Sequence, residues 1–170
     1  MKLKKNLVFL GMMGSGKTSI GLLVSKKLNL KFVDIDNEIE KSEKMKISSI
    51  FKKKGEKHFR NLEQKITIKI LRENNSIISL GGGGFVNSEI RKEILANHFS
   101  FWLNWDNKTI INRVNKSKKR PLTYNLSDIE ISDLIEKRSK IYSKAMFKIE
   151  CENLKKSEIV NKVINIYEQN

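Results

Sequence analysis

The residues with the plainest chemical reading are Gly11-Met12-Met13-Gly14-Ser15-Gly16-Lys17-Thr18, which fit the pattern G-x-x-x-x-G-K-[ST]. Glycines let the backbone curl so that successive N–H groups, and the N-terminus of a following helix, point at a phosphate. Lys17 adds a movable positive charge, and the Thr18 hydroxyl can ligate Mg²⁺. An ordinary glycine-rich turn is the plainer alternative, and a strand pattern before the motif with a helix pattern after it argues against that. Asp34 and Asp36 alternate two residues apart. If the strand carrying them ends near Ile35, both carboxylates lie at the sheet's carboxyl edge beside this loop. There one could hold a metal through water and the other accept a proton from a substrate hydroxyl. Taken alone, the pair also reads as a cap for the next helix.

Two further groups stand out. Gly81-Gly82-Gly83-Gly84 does no packing, and a ligand approaching the backbone closely accounts for it, with a tight turn as the alternative. Arg60 and Glu63 are three apart and share a helical face, Arg120 precedes the only proline, Pro121, and Arg138 falls in a later helix. Of the 34 cations only Arg60, Arg72, Arg91, Arg113, Arg120 and Arg138 are Arg. In so Lys-rich a chain, Arg marks places where a planar two-pronged donor meets a carboxylate or phosphate, although each could singly be a surface residue.

Short apolar runs must position these groups. Residues 6–10, 31–35, 76–80, 100–105 and 147–150 read as strands. Helical patterns cover 18–28, a long stretch within 51–74 with Phe59, Leu62, Ile66 and Ile70 as its apolar stripe, and then 87–97, 106–115, 128–145 and 158–168. Strands alternating with helices predict an α/β fold, a parallel sheet covered on both faces with ligands at the carboxyl ends of its strands. The polar stretch 116–125 is a candidate mobile loop.

A length of 170 residues predicts one domain, and 39% hydrophobic with 31% charged residues excludes disorder and collagen-like repeats. The net charge of +15 calls for an anionic partner to be considered, but scattered runs such as Lys52–Lys54 lack interleaved aromatics for stacking on bases. The lone Cys151 predicts a reducing compartment, a packing role and no structural zinc. The basic start and apolar 7–13 superficially resemble a secretory signal, but that run is short, contains Gly11 and opens into the glycine loop.

Together these residues are recognisable. The chain resembles the shikimate kinases from Asn6 to about Ala145, through Gly11 to Thr18, Asp34-Ile35-Asp36, Gly55-Glu56 leading to Phe59-Arg60 and Glu63, Gly81 to Gly83, Arg120-Pro121-Leu122, and Arg138 followed by Tyr142. The phosphate loop is shared by many ATP-using proteins, whereas the other motifs in this order and spacing are specific. The resemblance implies a P-loop kinase fold similar to nucleoside monophosphate kinases, with a five-stranded parallel sheet in the order 2-3-1-4-5. It implies a single kinase domain over 1–170, a substrate-binding segment at about 34–63 and a lid at about 115–125. The implied reaction is ATP-dependent phosphorylation of the 3-hydroxyl of shikimate, in the cytoplasm, by a monomer that engages neither nucleic acid nor membrane.

By the same resemblance Gly14, Ser15, Gly16, Lys17, Thr18 and Ser19 hold the nucleotide, and Arg113 lies against the adenine. Thr18 contacts Mg²⁺, with Asp34 near it through water. Asp36 binds the shikimate hydroxyls and is the catalytic base, Arg60 and Arg138 hold the carboxylate, Gly81, Gly82 and Gly83 line the site, and Arg120 reaches the phosphates from the lid. Lys140 stands where the family commonly has proline, and Gly84 where alanine is usual. Two other readings compete: a gluconate or nucleoside monophosphate kinase of the same fold, and a basic nucleic-acid-binding protein whose loop only senses nucleotide. A nucleotide acceptor would call for a base-stacking pocket and several phosphate-directed cations between Asp36 and Glu63, where few are found.

Overall fold

A computed structural model describes residues 5–117 and 126–170. Five strands, β1 (Leu7–Leu10), β2 (Lys31–Asp34), β3 (Ser76–Ser79), β4 (Phe99–Asn104) and β5 (Phe147–Glu150), form one parallel sheet in the order β2-β3-β1-β4-β5. The central strands are buried on both faces and so read as apolar runs, whereas the edge strands β2 and β5 carry exposed lysines. Leu7 pairs with Ile77 on one side and Phe99 on the other.

Alternation along β1 splits the core. Leu7 and Phe9 pack with Ile20 and Val24 of α1 (Lys17–Leu28) and with Ile159, Val160 and Val163 of α7 (Lys156–Glu168). Val8 and Leu10 face the opposite layer, built from α2 (Ile35–Glu43), α3 (Ile47–Leu71), α4 (Ser88–Asn97), α5 (Asn107–Lys116) and α6 (Asp128–Tyr142). Polar caps start several of these helices: Asp34 for α2, Asn87 for α4, Asp106 for α5, and the reciprocal Ser127–Glu130 pair for α6. Cys151 is buried and unbridged, and burial pushes its thiol up to about 12, which leaves it a packing group.

At the amino ends of the strands, buried Asn6 ties the layers together. Its Nδ2 donates to the Leu71 carbonyl, its Oδ1 accepts from the Ser76 N–H, and its own N–H reaches Nδ1 of buried His98 at 3.4 Å. The carboxyl ends, where the chemistry sits, are therefore at the other edge of the sheet.

Two expectations need correction. Strand β2 stops at Asp34, and a helix absent from the sequence reading, α2, begins at Ile35; Asp36 lies in its first turn rather than on the strand. The long helix runs over 47–71 and is broken at Gly55, whose φ of 80° and ψ of 169° no helix accommodates. After β3 the glycine run leads into a short 3₁₀ turn, Gly84–Val86. The expected lid at 115–125 falls mostly on 118–125, outside the described residues, and Arg120 with it. Among the described residues, no helix is long and apolar enough to cross a membrane.

Candidate active site

The loop between β1 and α1 is built by left-handed backbone at Gly14 (φ 79°) and Gly16 (φ 88°), a region only glycine enters cheaply. Gly16 precedes α1 without a side-chain cap, so the first-turn N–H groups are left to bind an anion. Lys17, only 7% exposed, donates through Nζ to the Gly11 and Met12 carbonyls, both at 2.9 Å. Two further loop carbonyls are held by side chains from beyond β4. Trp105 Nε1 donates to Ser15 O at 2.9 Å and Arg113 to Gly14 O at 3.0 Å, with the guanidinium 3.9 Å from the Trp105 ring centroid. The sequence reading missed Trp105; its place just beyond β4, at the carboxyl edge, was the available signal. Arg113 is beside the loop, stacked on an aromatic ring of its own chain.

Asp34 carries two bonds. Its Oδ2 accepts from the Thr18 hydroxyl at 2.7 Å, and its Oδ1 accepts from the Asn37 N–H at 3.3 Å. The capping role and the proximity to the phosphate loop are thus both true of it. A hydroxyl and a carboxylate oxygen at this separation form a hard, all-oxygen donor set suited to Mg²⁺.

The glycine run shows why side chains are absent there. A Cβ on Gly81 would sit 2.8 Å from Asp36 Oδ1 and 2.8 Å from Glu63 Oε1. One on Gly82 would sit 3.3 Å from Arg138 Nη1 and 3.5 Å from the Met13 backbone nitrogen, and one on Gly83 would collide with the Arg60 guanidinium. Three successive glycines therefore meet, in turn, a pair of carboxylates, one arginine and a second arginine, with the phosphate loop alongside.

These charged groups are themselves held. Arg60 pairs with Glu63 at 2.7 Å and with Glu56 at 3.3 Å, one turn to either side on α3. Glu63 is 2% exposed; burial pushes its carboxyl up, the Asp36 charge adds to the rise, and Arg60 and Arg138 oppose it. Arg138 and Tyr142, four apart on α6, share a face, and the Tyr142 hydroxyl donates to the Gly82 carbonyl. A cavity of about 370 Å³ beside them is lined by Arg60 and Arg138 together with Glu56, Glu130, Asp133 and Lys137. The sequence-predicted residues Lys17, Thr18, Asp34, Asp36, Arg60, Arg113 and Arg138 all gather at this edge.

A phosphate cradle, a carboxylate pair and two arginines around a glycine run are what a phosphoryl donor and a small polyhydroxy acid require. The family model described as shikimate kinase matches residues 13–168. The chain belongs to the shikimate kinase family. The shikimate kinase of Persephonella marina is 39% identical over 160 residues, covering 94% of this chain and 97% of the relative. Among solved structures, the shikimate kinase of Aquifex aeolicus matches with a TM-score of 0.86 at 36% identity over 96% of both chains. The shikimate kinase of Acinetobacter baumannii in complex with shikimate matches with a TM-score of 0.92 at 26% identity, over 99% of this chain and 95% of that one. The enzyme is thus a shikimate kinase and ATP is its phosphoryl donor, and the gluconate and nucleotide kinase readings give way.

Proposed function

We propose that this shikimate kinase transfers the γ-phosphoryl group of ATP to the 3-hydroxyl of shikimate, acting as one kinase domain whose segment 34–63 binds the acceptor. The convergence of Asp36, Glu63, Arg138 and Arg60 on Gly81 to Gly83, next to the phosphate loop, is the observation that carries this reading. Two guanidinium groups flanking a side-chain-free strip suit a carboxylate, and Asp36 suits the hydroxyls of a small ring acid.

In this reading the N-terminus of α1 and the loop N–H groups hold the β-phosphate while Lys17 neutralises charge on the transferring group. Asp36 orients the attacking hydroxyl and accepts its proton. Arg60 and Arg138 fix the acid so that attack is in line, which makes positioning the main catalytic contribution. Thr18, with Asp34 behind it, would hold Mg²⁺, which when bound neutralises phosphate charge. Arg113 and Trp105 support the loop on its nucleotide side, and Arg120 supplies a further cation to the phosphates.

The test is ADP release from Mg-ATP with shikimate, quinate, gluconate, nucleoside monophosphates or no acceptor. Stimulation by shikimate alone is expected. Stimulation by a different acceptor would remove the roles given to Asp36, Arg60 and Arg138.

A further inference from the structure

Gly82 and Gly83 have no side chains to restrain them, so the peptide between them can adopt many orientations at little cost. Its position is nonetheless critical, since the Gly82 Cβ direction faces Arg138 and the Gly83 Cβ direction faces Arg60. The hydroxyl of Tyr142 reaches the Gly82 carbonyl. A trans peptide is planar, so fixing this C=O fixes the opposed Gly83 N–H as well.

We propose that Tyr142 is a positioning residue for the acceptor: its phenol, bonded to the Gly82 carbonyl, holds the Gly82–Gly83 peptide in the one orientation that fits between Arg138 and Arg60. The ring is 1% exposed and packs against Trp102 at a centroid distance of 6.0 Å, so its place does not depend on the hydroxyl. Burial pushes the phenol up to about 12, which keeps it protonated and a donor throughout the working range. Beneath it, Met12 Sδ lies 3.9 Å from the Tyr142 oxygen and 4.0 Å from Arg138 Nη1, while the Met12 carbonyl accepts from Lys17. A polarizable thioether there buttresses both α6 residues from the phosphate loop. Tyr142 thus acts through the glycine run and Arg138, without touching the reacting atoms.

The proposal rests on shikimate being the acceptor, and Tyr142→Phe tests it because the ring and its packing stay. The shikimate KM should rise about three- to tenfold, the loss of one hydrogen bond, while the ATP KM stays within about twofold and thermal stability changes little. A shikimate KM within about twofold of wild type, or an equal rise in both KM values, would overturn it, since packing or general loosening then suffices. A second readout needs no variant. In wild-type enzyme labelled with ¹⁵N-glycine, nine glycine amides are available, and the Gly83 signal must move on adding shikimate. A Gly83 amide that ignores shikimate overturns the assignment even if Tyr142→Phe proves too unstable to assay. Wild-type enzyme that shows no turnover with shikimate would end the functional reading itself and this proposal with it, an outcome distinct from either of the others.

Discussion

Asp36 and Glu63 lie on either side of one missing side chain, each 2.8 Å from where a Gly81 Cβ would be, yet their surroundings set them to different tasks. Glu63 is buried against Arg60, with Arg138 near and Glu56 on the other flank of the same guanidinium, so it orients Arg60. Asp36 lies in the first turn of α2, and in the proposed reading it is the group that meets an acceptor hydroxyl. Asp36→Asn should lower kcat about 10²-fold or more with the ATP KM nearly unchanged, and steady-state kinetics with turnover within a few-fold of wild type would remove the base from the mechanism. Glu63 gives a pH signature instead. Its carboxyl is raised above the usual 4.5, so it gains a proton at a higher pH than an ordinary Glu, and Arg60, still charged, then loses its anionic partner. The shikimate KM should therefore rise as the pH is lowered towards the carboxylate range, beginning at a higher pH than an ordinary Glu side chain would give. Glu63→Gln should show a raised, pH-flat KM; a variant that keeps the wild-type slope would assign the titration elsewhere.

At the scale of elements, the break in α3 sets where Arg60 sits. Gly55 has φ 80° and ψ 169° with nothing within 4 Å of a built Cβ, so a side chain has room there and only the backbone objects. Across the break, Glu43 of α2 takes both Lys54 and, at 3.2 Å, His58, fastening the two halves of α3 to the same neighbour. Gly55→Ala should cost about 1–3 kcal/mol of stability through backbone strain and raise the shikimate KM, read by thermal unfolding and kinetics on one preparation. An unchanged Tm would mean that the helix straightens freely through residue 55. The sequence hid this arrangement for a physical reason. Helix α2 buries only Ile35 and Ile39 and is otherwise polar or charged, so its nine residues carry too little apolar period to announce a helix. The strands were legible almost to the residue, the central ones because both faces are covered and they read as apolar runs, and so was the strand–loop–helix unit of the phosphate site. Site residues that belong to motifs could be read, but not their contacts: Met12 and Tyr142 stand in quoted motifs, while the Tyr142 bond to the Gly82 carbonyl, its approach to Met12 and the reach of Trp105, which lies outside every motif, to Ser15 join distant parts of the chain that spacing does not encode.

Over the whole molecule, the two ends of the sheet answer to pH differently. The functional edge carries the raised carboxyl of Glu63, while the amino edge carries His98, 3% exposed, whose Nδ1 accepts from the Asn6 N–H. Burial lowers the His98 pKa below the usual 6.5, nearby Lys5 lowers it further, and Glu93 opposes them. Its folded-state value is thus below its unfolded one, so the unfolded chain binds the proton first. Stability from His98 is present above about pH 6.5 and is lost as the pH falls from there toward the folded value. Glu63 acts in the opposite sense, since a raised carboxyl relieves strain on protonation, and a chain of net charge +15 gains self-repulsion as its acids are neutralised. The wild-type profile is the sum of these, and a difference against a variant isolates the histidine. His98→Gln should flatten the fall in Tm between about pH 7.5 and about pH 5.5 relative to wild type, while leaving the shikimate KM at each pH unchanged because the active site is at the other end of β1. A parallel fall in both proteins would place the acid sensitivity in the carboxylates and net charge, and a changed KM would show that the Asn6–His98 tie is felt across the sheet.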